Sequence, residues 1–225
     1  MATPSFTNRQ WIYAKRPSGR VTEDHYELKE AELNEPLASN EVVVKAQYIS
    51  VDPYMRIQQA ERHSFDPPHP LGVVQRGGAV GQIVASNSSA FKEGDYVLSY
   101  TGWQLYARCH TSELRKLDAD AAPITTALGV LGMPGRTAWF GLMEARPKPG
   151  ETVVVSGAAG AVGSLVAQFA KRAGCKVFGI AGGANKCSFL TEKLGLDGAI
   201  DYRKYQDADS LSNAFAKITN GVDVY

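Results

Sequence analysis

The chain has 225 residues and a formal net charge of +1, room for one large or two modest domains and no charge excess that would draw it to nucleic acid or an anionic membrane. No run approaches the roughly 20 apolar residues of a spanning helix, and residues 1–20 lack the apolar core of a secretory signal. Three widely spaced cysteines, Cys109, Cys175 and Cys187, make no disulfide framework. A reducing, cytoplasmic setting is therefore expected.

Residues 1–125 read as β-rich and irregular. Predicted strands cover residues 41–50, 78–86, 96–100 and 103–109, with glycines hinting at bulges in the second. Such short strands suggest a barrel-like β domain. Residues 58–70, rich in Pro, His and charge, read as an exposed loop, and the basic pair Lys15-Arg16 as a solvated turn.

From residue 126 the pattern alternates. A β-branched run, residues 152–156, leads into glycines spaced by three, Gly157, Gly160 and Gly163. A helix follows with Val162, Leu165, Val166, Phe169 and Ala173 on one face, ended by a left-handed Gly174. Then come a strand at 176–181, a helix at 185–194 closed by Gly195, and a strand at 198–202. A last helix, started by Asp209 or Ser210, carries Leu211, Ala214, Phe215 and Ile218, and a fourth strand begins at 222–225. Alternation of this kind predicts a parallel sheet with right-handed crossovers. The expected class is α/β plus β, and a sheet that stops on its fourth strand reads as truncated.

The glycine turn carries the chemistry. Gly157 can take backbone angles that a side chain forbids. Gly160 lets the main chain approach a pyrophosphate, and Gly163 lets helix and strand pack closely. Amides at the helix start, with the helix dipole, then face an anion. This predicts a dinucleotide site. At the end of the second strand, residues 181–186 read AGGANK, with no carboxylate to repel a 2′-phosphate. Lys186 is there to bind one, which favours NADP(H). Arg203, after the third strand, is a second candidate.

Motifs along nearly the whole chain resemble the zinc-free branch of the medium-chain dehydrogenase/reductase superfamily. They are residues 8–11 (NRQW), 50–56 (SVDPYMR), 91–95 (FKEGD), 129–138 (GVLGMPGRTA), the glycine turn, and 181–187 (AGGANKC). This branch includes the leukotriene B4 12-hydroxydehydrogenase/prostaglandin reductases, alkenal double-bond reductases and curcumin reductases. The resemblance implies a GroES-like catalytic domain, residues 1–125, then a partial Rossmann domain with a doubly wound parallel sheet, residues 126–225, usually in a homodimer. It implies that Gly160, Ala161, Val162 and Gly163 hold the pyrophosphate. Lys186 and Tyr202 belong at the adenosine 2′-phosphate end, Met133 and Thr137 near the nicotinamide, and Gly157 and Gly182 are further cofactor-binding positions. Pro53 and Tyr54 face the cleft where cofactor and substrate meet. The family continues past the strand at Tyr225, so a truncated chain of low stability, inactive on its own, is expected. Gly78 stands where some plant relatives place a substrate-contacting tyrosine.

The implied reaction is NADPH-dependent reduction of the carbon–carbon double bond of α,β-unsaturated carbonyls, with hydride delivered to the β-carbon. Tyr54, a phenol able to donate to an enolate, is the expected catalytic group. Within the same fold, a quinone reductase and a non-catalytic NADP-binding protein are the alternatives. No metal site is expected: Cys109-His110 is one adjacent pair, and His25, His63 and His69 are irregularly spaced. No GxSxG elbow occurs, which argues against a serine hydrolase. Trp11, Trp103 and Trp139 are expected in the core or at a domain seam.

Overall fold

The computed structural model describes residues 5–61 and 67–225. The chain divides into two units, Met1–Leu128 and Gly129–Tyr225, each with its own internal packing.

The first unit is β-rich. Its elements are β1 (Phe6–Tyr13), β2 (Tyr26–Leu33), β3 (Glu41–Ile49), a short helix α1 (Pro53–Gln58), β4 (Val73–Val74), β5 (Ala79–Ser86), β6 (Tyr96–Ser99), β7 (Tyr106–His110) and β8 (Arg115–Leu117). They form a five-stranded sheet, β7-β3-β5-β6-β8, and a three-stranded sheet, β2-β1-β4. Every pairing in both sheets is antiparallel. Val42 and Val44 of β3 pack with Ile83, Val97 and Cys109 in a buried apolar cluster. The register of β3 against β5 slips between Ala46 and Tyr48, beside Gly81. A Cβ on Gly81 would stand 2.1 Å from the Lys45 carbonyl oxygen, so the bulge requires glycine there.

Three expectations for this unit change. The strand expected from residue 103 begins at Tyr106, because Trp103 and Leu105 bond to β1 first: Trp11 N–H donates to Trp103 O and Leu105 N–H to Arg9 O, both at 2.9 Å. Residues 58–70 do not form a wholly exposed loop. Gln58, Gln59 and His69 are buried, His69 stacked 5.5 Å from the Tyr13 ring; residues 62–66, including His63, lie outside the described residues. Arg16 is not merely solvated either: its guanidinium donates to the carbonyls of Gln59 and His69, pinning both ends of that segment.

The second unit holds α2 (Met133–Ala145), β9 (Thr152–Val155), α3 (Ala161–Arg172), β10 (Lys176–Ala181), α4 (Ala184–Ser188), β11 (Gly198–Asp201) and α5 (Ala208–Ala216). The three strands are parallel in the order β11-β10-β9. A further parallel bridge, Val153 to Val224, places residues 222–225 on the other side of β9. Strand order therefore reverses at β9, the switch point where doubly wound sheets open a crevice at their carboxyl ends. With the two sheets of the first unit, this is the expected α/β plus β class.

Helix α3 meets the sheet through small residues. Gly163, Ala167 and Ala170 are its buried positions. Val166 and Phe169 flank that stripe half-buried, and Ala173, expected on the core face, is exposed beyond the helix end. The closeness of helix to sheet selects small side chains for the contact line. Phe169 meets Trp139 of α2 edge-on at 5.8 Å. Trp139 is itself 49 % exposed and Trp11 38 %, so neither is a core aromatic. Gly174 takes the left-handed cap at φ +84°. After Ser188 the helix widens into a π turn, Phe189–Lys193, with Leu194 N–H bonding back to Phe189 O. Leu190 in that turn is fully buried among Ala158, Val177 and Leu196. Helix α5 starts earlier than expected, because Asp207 accepts from Ser210 N–H at 2.7 Å and caps it.

Leu190 carries the packing of β10 against the chain that follows it. Leu190→Ala is expected to destabilise the second unit by about 2–5 kcal/mol. Urea unfolding checks this; a change well below 1 kcal/mol would show that the π turn contributes little to the core.

Candidate nucleotide-binding site

The carboxyl end of β9 runs into the glycine turn. Gly157 has φ +57°, a left-handed angle that glycine adopts without strain. Ala158 is fully buried and donates its N–H to Ile180 O at 3.0 Å, which ties the turn to β10. Gly160 N–H donates back to Gly157 O at 2.8 Å, closing the turn. The first helical bond of α3 is Ser164 N–H to Gly160 O, 2.9 Å. The amides of Ala161, Val162 and Gly163 precede it, at the positive end of a 12-residue helix. Gly157, Gly160 and Ala161 are exposed, and Val162 is half-buried.

The three glycines face different constraints. A Cβ on Gly163 would lie 2.4 Å from Gly157 O and 2.9 Å from Ala158 Cα, both backbone atoms. One on Gly160 would meet only Gly157 O, at 3.1 Å, and one on Gly157 nothing within 4 Å. Gly163 thus sets the approach of helix to strand, Gly157 supplies the unusual φ, and Gly160 keeps the outer surface of the turn bare. The cradle fits a pyrophosphate: bare backbone, N–H donors unpaired among the described residues and a dipole of the right sign.

The other part of this unit's site lies at the ends of β10 and β11, where Ala181 pairs with Asp201. Gly183 follows at φ +100°. The Asp201 carboxylate accepts from Gly183 N–H at 2.8 Å and from Arg203 N–H at 3.1 Å. Its pKa is held below the usual carboxylate range, first by the Gly183 bond, then by the Arg203 amide and the charges of Lys204 and Arg203. Tyr202 and Arg203 fold across Gly182: a Cβ there would stand 2.9 Å from Arg203 Nε and 3.1 Å from Tyr202 Oη. Lys186 is exposed on α4. Sequence reading ranked Arg203 second and missed Asp201, because it sought a carboxylate only at the end of the second strand. This one sits on the neighbouring strand, occupied by backbone donors.

Met133 and Thr137 lie one turn apart at the start of α2, Met133 half-buried and Thr137 exposed. The loop before them is held close to the helix, since a Cβ on Gly135 would fall 1.7 Å from Val130 O. Pro53 and Tyr54 belong to the first unit and open α1, Pro53 exposed and Tyr54 half-buried. Ser50 bonds through its side chain to Asp52, the residue before the helix, and its carbonyl accepts from Trp103 Nε1 at 2.9 Å. Trp103 therefore braces the entry to α1, and it also lines a cleft of about 390 Å³ with Arg9, Trp11, Tyr48 and Gln104. Tyr54 is not among the residues lining that cleft. At Gly78 a side chain would meet Leu128 at 3.1 Å, so a tyrosine there requires Leu128 to move.

The described residues do not fit a zinc ion. Cys109 and His110 are neighbours on a strand, so their side chains point to opposite faces. Burial, then the nearby Glu113 and Glu41, push the Cys109 thiol up to about 12, far from the thiolate a metal needs. His69 is buried with Nε2 3.2 Å from Val74 O, and His110 Nδ1 accepts from Ser112 N–H. Among the described residues no group of three or more His, Cys, Asp or Glu could hold a metal.

The glycine contacts predict an asymmetry. Gly163→Ala forces the helix off the strand and is expected to cost about 1–3 kcal/mol. Gly160→Ala, with one marginal contact, is expected to stay within about 1 kcal/mol of the parent. Equal effects in urea unfolding would contradict these separate roles.

Two family models match the chain: an N-terminal domain of oxidoreductase over residues 9–117, and a zinc-binding dehydrogenase over residues 161–225. The NADPH-dependent curcumin reductase of Escherichia coli (strain K12) is 41 % identical over 219 residues, covering 97 % of this chain and 62 % of the relative. The 2-alkenal reductase (NADP(+)-dependent) of Nicotiana tabacum is 39 % identical over 228 residues, covering 97 % and 65 %. Among solved structures, CurA from Vibrio vulnificus in complex with NADPH superposes with a TM-score of 0.87 at 41 % identity, covering 96 % of this chain and 64 % of that one. The chain thus spans a little under two thirds of the length of these relatives. With a GroES-like β-rich unit followed by a Rossmann unit, it has the fold of the medium-chain dehydrogenase/reductase superfamily and is similar, over 96–97 % of its own length, to that superfamily's curcumin, alkenal and prostaglandin reductases.

Proposed function

We propose that this protein is an NADPH-dependent reductase of the carbon–carbon double bond of α,β-unsaturated carbonyl compounds, working without zinc. The observation that carries the reading is the bare glycine cradle at the sheet's switch point, with the amides of Ala161–Gly163 unpaired above it among the described residues. Two relatives named for NADP(H)-dependent curcumin and alkenal reduction support it. A homodimeric, cytoplasmic enzyme belongs to the same reading.

In this account the Ala161, Val162 and Gly163 amides, with Gly157 and Gly160, hold the pyrophosphate. Gly182, Lys186 and Tyr202 serve the adenosine 2′-phosphate end, and Met133 and Thr137 the nicotinamide end. When bound, NADPH would supply a hydride to the substrate β-carbon, and the α-carbon of the resulting enolate would take a proton from solvent. A reaction of this kind needs hydrogen-bond donors to the developing oxyanion rather than a nucleophile. Tyr54 is the donor we assign: its phenol can hydrogen-bond the carbonyl oxygen as it gains charge. Pro53, fixing φ at the first turn of α1, sets its direction.

The test is turnover of a simple enone with NADPH, followed by product analysis for the saturated ketone. Tyr54→Phe is expected to lower kcat by about 10- to 100-fold, with NADPH affinity unchanged. Consumption of NADPH with quinones but with no enone would overturn the substrate class. Full kcat in Tyr54→Phe would remove Tyr54 from the chemistry.

A further inference from the structure

This inference rests on the NADP(H) reading and concerns which side chains take the charge of the adenosine 2′-phosphate. The sequence draws attention to Lys186, the first cation after the second strand. The structure draws it to the other side of the same bay. The parallel pairing of Ala181 with Asp201 sets two turns side by side at the carboxyl end of the sheet: Gly182-Gly183 after β10, and Tyr202–Lys204 after β11. One Asp201 oxygen accepts from Gly183 N–H at 2.8 Å and from Arg203 N–H at 3.1 Å, and so fastens each turn to the other. Arg203 then lies back across the glycines. Its Nε would be 2.9 Å from a Cβ on Gly182, and its Nη1 3.7 Å from one on Gly183. The Tyr202 hydroxyl lies against the same glycine, 3.1 Å from that Cβ position.

Arg203 is exposed, and among the described residues it forms no ion pair with an acid. The nearby carboxylate, Asp201, has backbone donors on it. A guanidinium is thus held over bare backbone beside a phenol hydroxyl, at the end of the sheet where such folds take ligands. Its planar fork matches a phosphate in two bonds, whereas Lys186 offers a point charge on a flexible stem.

We propose that Arg203, with Tyr202, is the principal clamp for the 2′-phosphate of NADP(H), that Asp201 is its positioning residue, and that Gly182 is glycine to leave room for it. Lys186 supplies a secondary charge. The prediction differs from a lysine-centred site in which side chain matters most and in making a glycine part of cofactor choice.

The experiment is calorimetric titration of the intact protein with 2′,5′-ADP and with 5′-AMP, which differ only in the 2′-phosphate. Arg203→Gln is expected to weaken 2′,5′-ADP roughly 10- to 100-fold while 5′-AMP stays within about twofold. Arg203→Lys should fall between. Lys186→Gln should lose less than Arg203→Gln. Gly182→Ala should lose 2′,5′-ADP selectively although both cations remain, because its methyl displaces the Arg203 and Tyr202 side chains; Arg203→Gln should then add little on top of it. Unchanged discrimination in Arg203→Gln, or a larger loss in Lys186→Gln, would overturn the inference while leaving the NADP(H) reading in place. A parent protein that binds both nucleotides equally would overturn that reading, and this inference with it.

Discussion

The second unit depends on one steric contact: the face of Gly163 against the backbone of Gly157 and Ala158. No side chain larger than hydrogen fits between helix and strand at that point. Once the two are this close, the contact line of α3 must stay small, and Ala167 and Ala170 continue it. The same closeness directs the first amides of α3 over the end of β9, where they have no partners within the helix. The anion site proposed here is the consequence of packing and of the helix N-terminus together. Burial of Ala158, Leu190 and Leu196 behind the turn holds it from below.

A second organising element is electrostatic. In many dinucleotide folds a carboxylate at the end of the second strand receives the ribose hydroxyls. Here the β10 end carries two glycines, and the nearest carboxylate, Asp201, comes from the next strand and is turned inward onto two backbone amides. It organises the loop in place of presenting negative charge to a ligand. The positive groups Lys186, Arg203 and Lys204 are exposed around it. In the proposed site this arrangement favours a ligand with an extra phosphate, through a local hydrogen-bond pattern rather than through net charge, which for the whole chain is only +1.

Much of this was legible in the residues. The Val153–Val155 run, the spacing of Gly157, Gly160 and Gly163, and the left-handed Gly174 each encode a local requirement, and local requirements can be read in order. The β-rich character of the first half was legible for the same reason, through β3 and β5. What was not legible depends on contacts between distant residues. The core face of α3 was misread because apolar size, not closeness, governs periodicity, and Val166 and Phe169 outrank Ala167 and Ala170 on that measure. The buried Gln59 and His69 looked like loop residues; their burial comes from Arg16 and Tyr13, more than 40 positions away. Asp201 and Arg203 acquired their place at the site only through the pairing of β10 with β11.

The central claim is that residues 157–163 bind the pyrophosphate and residues 182–204 choose the phosphorylated cofactor. The most direct measurement is hydrogen exchange on the intact protein with saturating NADPH and, separately, saturating NADH. The account predicts that both nucleotides slow exchange at the amides of Ala161–Gly163, and that NADPH alone adds protection at residues 182–183 and 202–204. Protection confined to other segments, or the same pattern with both nucleotides, would contradict it.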